Sequence, residues 1–305
     1  MNVLVLGSTG FIGKSLIKRL EEEPVEVTGI SRSAGVDLLD YKQVSDCIAS
    51  IRPDIIYNVA SHGGSLHYVK KYAASVYSDN LQMGLNLYRA LTEHDSTAKI
   101  VQPFSNCSYP GNSSVQNEEN WLNGGVHPSI FSFGNSKRAL YYLAGCYKQE
   151  HKISTVNLLL PNTYGPGDSI DPNKTHALNG MVIRMLQAKK AGDSEFVVWG
   201  TGSPVREWCY VDDFVDAMVQ ATSFEDMEYP VNIGQEKGYS IAESAHLIKK
   251  ACGFEGEIVF DTKYPDGDPV KILDKSKLND ILPDFKFFDH EQGILNTVKY
   301  YEDKV

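Results

Sequence analysis

The chain has 305 residues, 42% of them hydrophobic and 22% charged, enough for a sizeable core in one large or two intimately joined domains. A net charge of −10 argues against nucleic acid or an anionic membrane as the main partner, while leaving room for a small anionic ligand held by local dipoles and a few cations. The five cysteines (Cys47, Cys107, Cys146, Cys209 and Cys252) include no CxxC pair, which favours reduced thiols in a cytoplasmic setting over a disulfide framework or a metal site.

No apolar run approaches the roughly 18 residues of a membrane span, and MNVLVLGSTG opens a strand, not a signal peptide. Asn2–Leu6 reads as a buried strand, followed by a glycine turn and a helix over Ile12–Leu20. A strand is predicted at Val25–Ile30, a helix at Tyr41–Ile51 and a strand at Ile55–Val59. A helix over Asp79–Leu91, a strand at Lys99–Phe104, a helix over Ser136–Gln149 and a strand at Ile153–Leu160 complete the first half. Continuous apolar strands alternating with helices predict an α/β fold: a Rossmann-like, doubly wound parallel sheet with a ligand crevice at the carboxyl ends of its strands. After Pro161 the turn formers PNTYGPGD introduce shorter elements, including a helix near Asn179–Ala191 and a strand at Phe196–Trp199. A smaller, interleaved α/β substrate domain is expected there. The predicted division gives residues 1–160 and about 208–236 to the dinucleotide, and about 161–207 and 237–305 to a sugar nucleotide.

Gly7-Ser8-Thr9-Gly10-Phe11-Ile12-Gly13 lies between the first strand and the first helix. Glycines there permit the tight turn and the close approach of backbone to a pyrophosphate, and the helix N-terminus presents free N–H groups to it. The second strand ends Gly29-Ile30-Ser31-Arg32-Ser33, with no acid for ribose hydroxyls and one guanidinium able to pair with a 2′-phosphate. This favours NADP(H), with NAD(H) as the alternative. Asp37 and Leu38 are candidates to border the adenine, and Asn58 and Ala60 to line the cofactor.

At the fourth strand end stands Ser105-Asn106-Cys107-Ser108-Tyr109-Pro110, and 28 residues after Ser105 comes Phe133, with Lys137 one helical turn later. This frame resembles the extended short-chain dehydrogenase/reductase superfamily, whose members use a Ser/Thr–Tyr–Lys set. Within it the chain is most similar to the GDP-fucose synthase family of NADPH-dependent 3,5-epimerase/4-reductases. The likeness rests on Ser105-x-Cys107-x-Tyr109-Pro110, on Pro161–Pro166 (PNTYGP), and on Val197–Gly200 (VVWG) with Val205–Glu207 (VRE) and Val211–Asp213 (VDD). It extends through Pro265–Gly267 (PDG) and Lys271-x-Leu273-Asp274, and to His176, 39 residues past Lys137, where that family keeps its second epimerisation residue.

The resemblance implies that Ser105 polarises the sugar carbonyl, that Lys137 holds the nicotinamide ribose, and that Cys107 and His176 exchange the protons at C3 and C5. It adds Pro161 and Thr163 to the cofactor residues. Asn162, Arg184, Trp199, Arg206 and Lys271 join Ser105 and His176 as candidates for the substrate, and a homodimer through the helices near Asp79–Leu91 and Ser136–Gln149 is expected. Val270 stands where the family often has arginine, so the base is a less direct inference.

Phe133 occupies the tyrosine position and keeps the ring without its proton. Losing a general acid typically costs about 10²–10⁴-fold. Either a tyrosine has been replaced to trap a bound substrate, or Phe133 is native and reduction is absent or served by another donor, for which Tyr109, Tyr141 and Tyr142 are near in sequence. A 4,6-dehydratase would want an acidic pair in place of Asn106-Cys107. A UDP-sugar 4-epimerase would want the missing tyrosine, and it stands as the alternative alongside a catalytically silent dinucleotide or sugar-nucleotide binder.

Overall fold

The computed structural model describes residues 1–111, 115–225, 229–264 and 266–305; Pro265 of the PDG segment lies outside the described residues. The first half runs β1 (Asn2–Leu6), α1 (Phe11–Leu20), β2 (Glu26–Ile30), α2 (Tyr41–Ile51), β3 (Ile55–Asn58), α3 (Leu66–Lys71), α4 (Ala73–Glu93), β4 (Lys99–Ser105), β5 (Val115–Gln116), α5 (Phe131–His151) and β6 (Thr155–Leu160). There follow β7 (Asn162–Tyr164), α6 (Ala177–Ala191), β8 (Glu195–Trp199), β9 (Val205–Tyr210), α7 (Val211–Gln220) and β10 (Val231–Asn232). The chain closes with β11 (Gly238–Ser240), α8 (Ile241–Cys252), β12 (Glu257–Asp261), β13 (Val270–Leu273), α9 (Ser276–Ile281) and α10 (His290–Glu302).

Six parallel strands form the main sheet in the order β10-β6-β4-β3-β1-β2. Successive side chains of a strand point to opposite faces, so a strand buried on both sides must be apolar throughout. Val3 and Val5 accordingly join a core with Leu16, Phe214 and Met218 on one face. Leu4 and Leu6 join Ile48, Leu87 and Ile100 on the other.

Two helices differ from the sequence expectation. α4 extends Asp79–Leu91 at both ends, and α5 begins at Phe131, five residues before Ser136. Gly134 disfavours a helix intrinsically, but a Cβ there would lie 2.6 Å from the Cys107 carbonyl oxygen, so close packing is what its place in the first turn provides. Phe133 therefore sits on the helix that carries Lys137.

The remaining strands form a mixed sheet, β11-β9-β13-β5 with β7 paired to β9, and a parallel pair β12-β8. Helices α6, α8 and α10 share a second core through Val182, Met185, Ile248 and Val298. The boundary is interleaved: β10 adds the last strand of the main sheet, and Leu278 of α9 packs into the main core. Among the described residues, no helix is long and apolar enough to cross a membrane, and no group of His, Cys, Asp and Glu has the arrangement to hold a metal ion.

Candidate active site

Strand order reverses at β1 and β3, and a crevice of about 360 Å³ opens beyond their carboxyl ends. Gly7, Thr9, Gly10, Ser31, Arg32, Asp37, Leu38 and Ala60 line it. Gly7 has φ +83°, and a Cβ on it would lie 2.7 Å from the Ala60 backbone. A Cβ on Gly13 would lie 2.2 Å from the Gly7 carbonyl oxygen, so strand, turn and helix close only with glycine at both places. Beside them the Thr9 hydroxyl lies 3.0 Å from that of Ser31 and 2.9 Å from that of Ser33. Arg32 is exposed next to this hydroxyl group, with no side-chain partner among the described residues. A clustered set of hydroxyls with an uncommitted guanidinium suits a phosphate.

Other singled-out residues are placed differently. Ile12 leans on the main core, and the Asn58 amide donates to Gln102 at 2.8 Å, which commits it to the sheet. Pro161 and Thr163 are buried, and the Thr163 hydroxyl has no hydrogen-bond partner. The glycine cradle, which a Cβ at Gly7 or Gly13 would fill, fits a dinucleotide. His62, Asp79, Ser33, Ser61 and Met83 also line the crevice. Only their position after the third strand or on the following helix could have pointed to most of them.

At the end of β4, Ser105 caps a short turn over Asn106–Ser108, its hydroxyl accepting from the Cys107 amide at 3.2 Å. Arg138 fixes this turn from α5: its guanidinium donates to the carbonyls of Ser108 at 2.6 Å, Gly124 at 2.6 Å and Trp121 at 2.7 Å. Cys107 is half-buried. Burial pulls the Arg206 guanidinium down, against the negative charges of Asp268 and Asp266.

Lys137 is buried, and its ammonium donates to Ser61 at 3.1 Å while lying 5.2 Å from the Phe133 ring centroid. Burial pushes its pKa down to about 8. The other tyrosines near in sequence are committed elsewhere. Tyr109 donates to Asn232 at 2.8 Å in the core, Tyr141 packs edge-on against Trp121 at 4.9 Å, and Tyr142 is 57% exposed.

His176 immediately precedes α6, and its ring lies 5.3 Å from that of Phe11 at the start of α1. Its Nδ1 is 3.0 Å from the buried Asp168 carboxylate, which also accepts from the His176 amide at 2.8 Å and the Asn179 amide at 3.0 Å. Burial opposes ionisation of Asp168, yet these hydrogen bonds and the His176 charge hold its carboxyl below the usual range. Such a carboxylate fixes the imidazole tautomer, with the proton on Nδ1.

Farther out, Trp199 is 60% exposed and stacks on Tyr264, their centroids 4.9 Å apart at 21°. The Arg184 guanidinium lies 5.3 Å from the Trp199 ring and 4.9 Å from that of Phe196. This ledge offers a flat face and a cation to a nucleotide. Tyr264 was not legible in sequence, because its partner lies on a strand far behind it. The Lys271 ammonium pairs with buried Asp268 at 3.2 Å, so it is already partly neutralised. Asn162 donates to the Glu207 carbonyl at 3.2 Å, and Arg206 to its neighbour's carbonyl at 2.8 Å.

Residues 3–234 match the NAD dependent epimerase/dehydratase family. The chain is 30% identical to the probable GDP-L-fucose synthase 1 of Oryza sativa subsp. japonica, over 99% of this chain and 92% of that one. It is 31% identical to GDP-L-fucose synthase 1 of Arabidopsis thaliana, over 90% and 85% of the two. A crystal structure of a GDP-L-fucose synthetase from Naegleria fowleri bound to NADP superposes with a TM-score of 0.89 at 26% identity, covering 99% of this chain and 92% of that one. By its glycine turn, its sheet and these likenesses, the chain belongs to the NAD dependent epimerase/dehydratase family.

Proposed function

We propose that the chain is a nucleotide-sugar epimerase/reductase that uses NADP(H) and acts on a 4-keto-6-deoxy sugar nucleotide. The observation that carries this reading is His176, its Nδ1 oriented by the buried Asp168 carboxylate, with Cys107 on the Ser105-capped turn at the end of β4 as the second proton-exchanging group. The GDP-L-fucose synthases it resembles support a guanosine diphosphate carrier. Residues 1–160 and 208–236 are proposed to hold the cofactor, and 161–207 and 237–305 the substrate.

A ketone at C4 makes the hydrogens on C3 and C5 acidic, because each carbanion is stabilised as an enolate. In this reading Cys107 removes a proton from one face and His176 returns one to the other. Ser105 donates a hydrogen bond to the C4 oxygen, which stabilises both the enolate and the alkoxide that follows. When bound, the reduced nicotinamide supplies a hydride. Gly7, Gly10 and Thr9 would hold its phosphates, Arg32 the 2′-phosphate, and Lys137 the ribose. Arg184 and Arg206 balance the substrate diphosphate, and Trp199 with Tyr264 carries the base. On the same likeness we place the enzyme in the cytoplasm as a homodimer through α4 and α5, a reading that light scattering of the purified protein tests.

The experiment is incubation with a 4-keto-6-deoxy sugar nucleotide in deuterated water, read by NMR. Deuterium at C3 or C5 supports the proposal, and its absence at both carbons defeats it. No exchange at either carbon, with C4 inversion and tightly held NAD, would point to a 4-epimerase.

A further inference from the structure

Phe133 leaves the sugar oxygen without its usual phenol, and the loop that packs on the Phe133 ring also packs on another phenol, that of Tyr68. The Phe133 Cζ, the carbon that would bear a hydroxyl, lies 3.6 Å from the place a Cβ on Gly63 would take, and Cε2 lies 3.0 Å from it. On one side of Gly63 stands His62, which lines the crevice. On the other stands Gly64, where a Cβ would lie 2.9 Å from the Tyr68 ring. Tyr68 and His62 are joined: the Tyr68 hydroxyl is 2.9 Å from His62 Nε2, and His62 Nδ1 is 2.8 Å from the Asp79 carboxylate. Asn80 anchors this loop by accepting from the His62 amide at 2.9 Å and donating to the His62 carbonyl at 2.8 Å.

We propose that Asp79, His62 and Tyr68 form a proton relay that serves the reduced sugar oxygen in place of a tyrosine at position 133. The inference rests on the nucleotide-sugar reading above. A reduced nicotinamide dinucleotide is the reductant: the carbonyl carbon takes the hydride, and the C–O π pair moves to oxygen. That oxygen bonds the Tyr68 phenolic hydrogen. The phenolate takes the hydrogen on Nε2 of a protonated His62, which is left neutral with Nδ1–H on Asp79, and solvent restores the proton. Asp79 is here a positioning residue, since it acts through His62.

The test combines turnover with a measurement on the unliganded protein. Wild type should oxidise NADPH with a 4-keto-6-deoxy sugar nucleotide, and Tyr68→Phe should slow this about 10²–10⁴-fold while NADPH affinity and deuterium uptake at C3 or C5 stay unchanged. Adding Phe133→Tyr to Tyr68→Phe should restore turnover, which a merely structural role for Tyr68 would not allow. Without ligands, a low-field imidazole N–H proton resonance should be present in wild type and lost in Asp79→Asn. Unchanged turnover in Tyr68→Phe, failure of the second substitution to rescue, or absence of that resonance from wild type would overturn the relay. Loss of the relay signals with deuterium uptake intact spares the underlying reading; absence of uptake and of NADPH binding removes both.

Discussion

The Asp168 carboxylate accepts from the His176 amide at 2.8 Å and lies 3.0 Å from the same residue's Nδ1, so one buried oxygen sets both the backbone and the ring. Replacing Asp168 by Asn keeps the shape but removes the charge that favours a proton on Nδ1. Deuterium uptake into the sugar should fall by at least about 10-fold, with NADPH affinity unchanged, as measured by NMR and by fluorescence titration.

Cys107 is expected to be the thiolate base. Cys107→Ser keeps the turn, because the Ser105 hydroxyl still accepts from the backbone at position 107. A hydroxyl is far less acidic than a thiol, so proton exchange at C3 and C5 should drop about 10²-fold or more. Calorimetry should show sugar-nucleotide affinity within a few-fold of wild type.

Lys137 gives the cofactor site a pH limit. Its folded pKa is depressed to about 8 from 10.5, so the ammonium that would hold the ribose is lost as pH rises through about 8. NADPH binding should weaken across that interval, and Lys137→Met should flatten the profile. The linkage runs the other way for stability: between about 8 and 10.5 the unfolded chain binds more protons, so stability gains with rising pH.

Arg32 should separate the two dinucleotides. A charge-assisted contact of about 1.5–3 kcal/mol corresponds to roughly 10- to 150-fold in affinity. Arg32→Ala should weaken NADPH by that factor and leave NADH almost unaffected in a direct binding assay.

Buried His290 contributes an acid limit. Its ring stacks on Tyr239 at 4.4 Å, and burial depresses its pKa to about 4 from 6.5. The unfolded state binds more protons between those values, so stability is lost as pH falls from about 6.5 toward 4, by about 3 kcal/mol for the full shift. Denaturant unfolding in acid should show this slope, and His290→Phe should reduce it.

The parallel sheet, the glycine turn and most helices were legible because each is written in local periodicity and turn chemistry. The start of α5 was not, since Gly134 is helical only through its packing on Cys107. The same limit applies to the site. Ser105, Cys107 and Lys137 announce themselves by spacing, whereas the Trp199–Tyr264 stack, the Arg138 clamp on Trp121 and Gly124, and the Lys271–Asp268 pair depend on where loops return. Phe133 was visible as a gap in a pattern, while the Tyr68–His62 contact required coordinates.

The last strand of the main sheet is supplied by Val231 and Asn232, after the chain has left that sheet and built part of the second unit. During synthesis, therefore, a nascent chain released only as far as β6 carries an unpaired strand edge and lacks the α7 residues Phe214 and Met218 that cover one face. Closure must await roughly the first three-quarters of translation, and a chaperone that shields that edge has a defined interval in which to act.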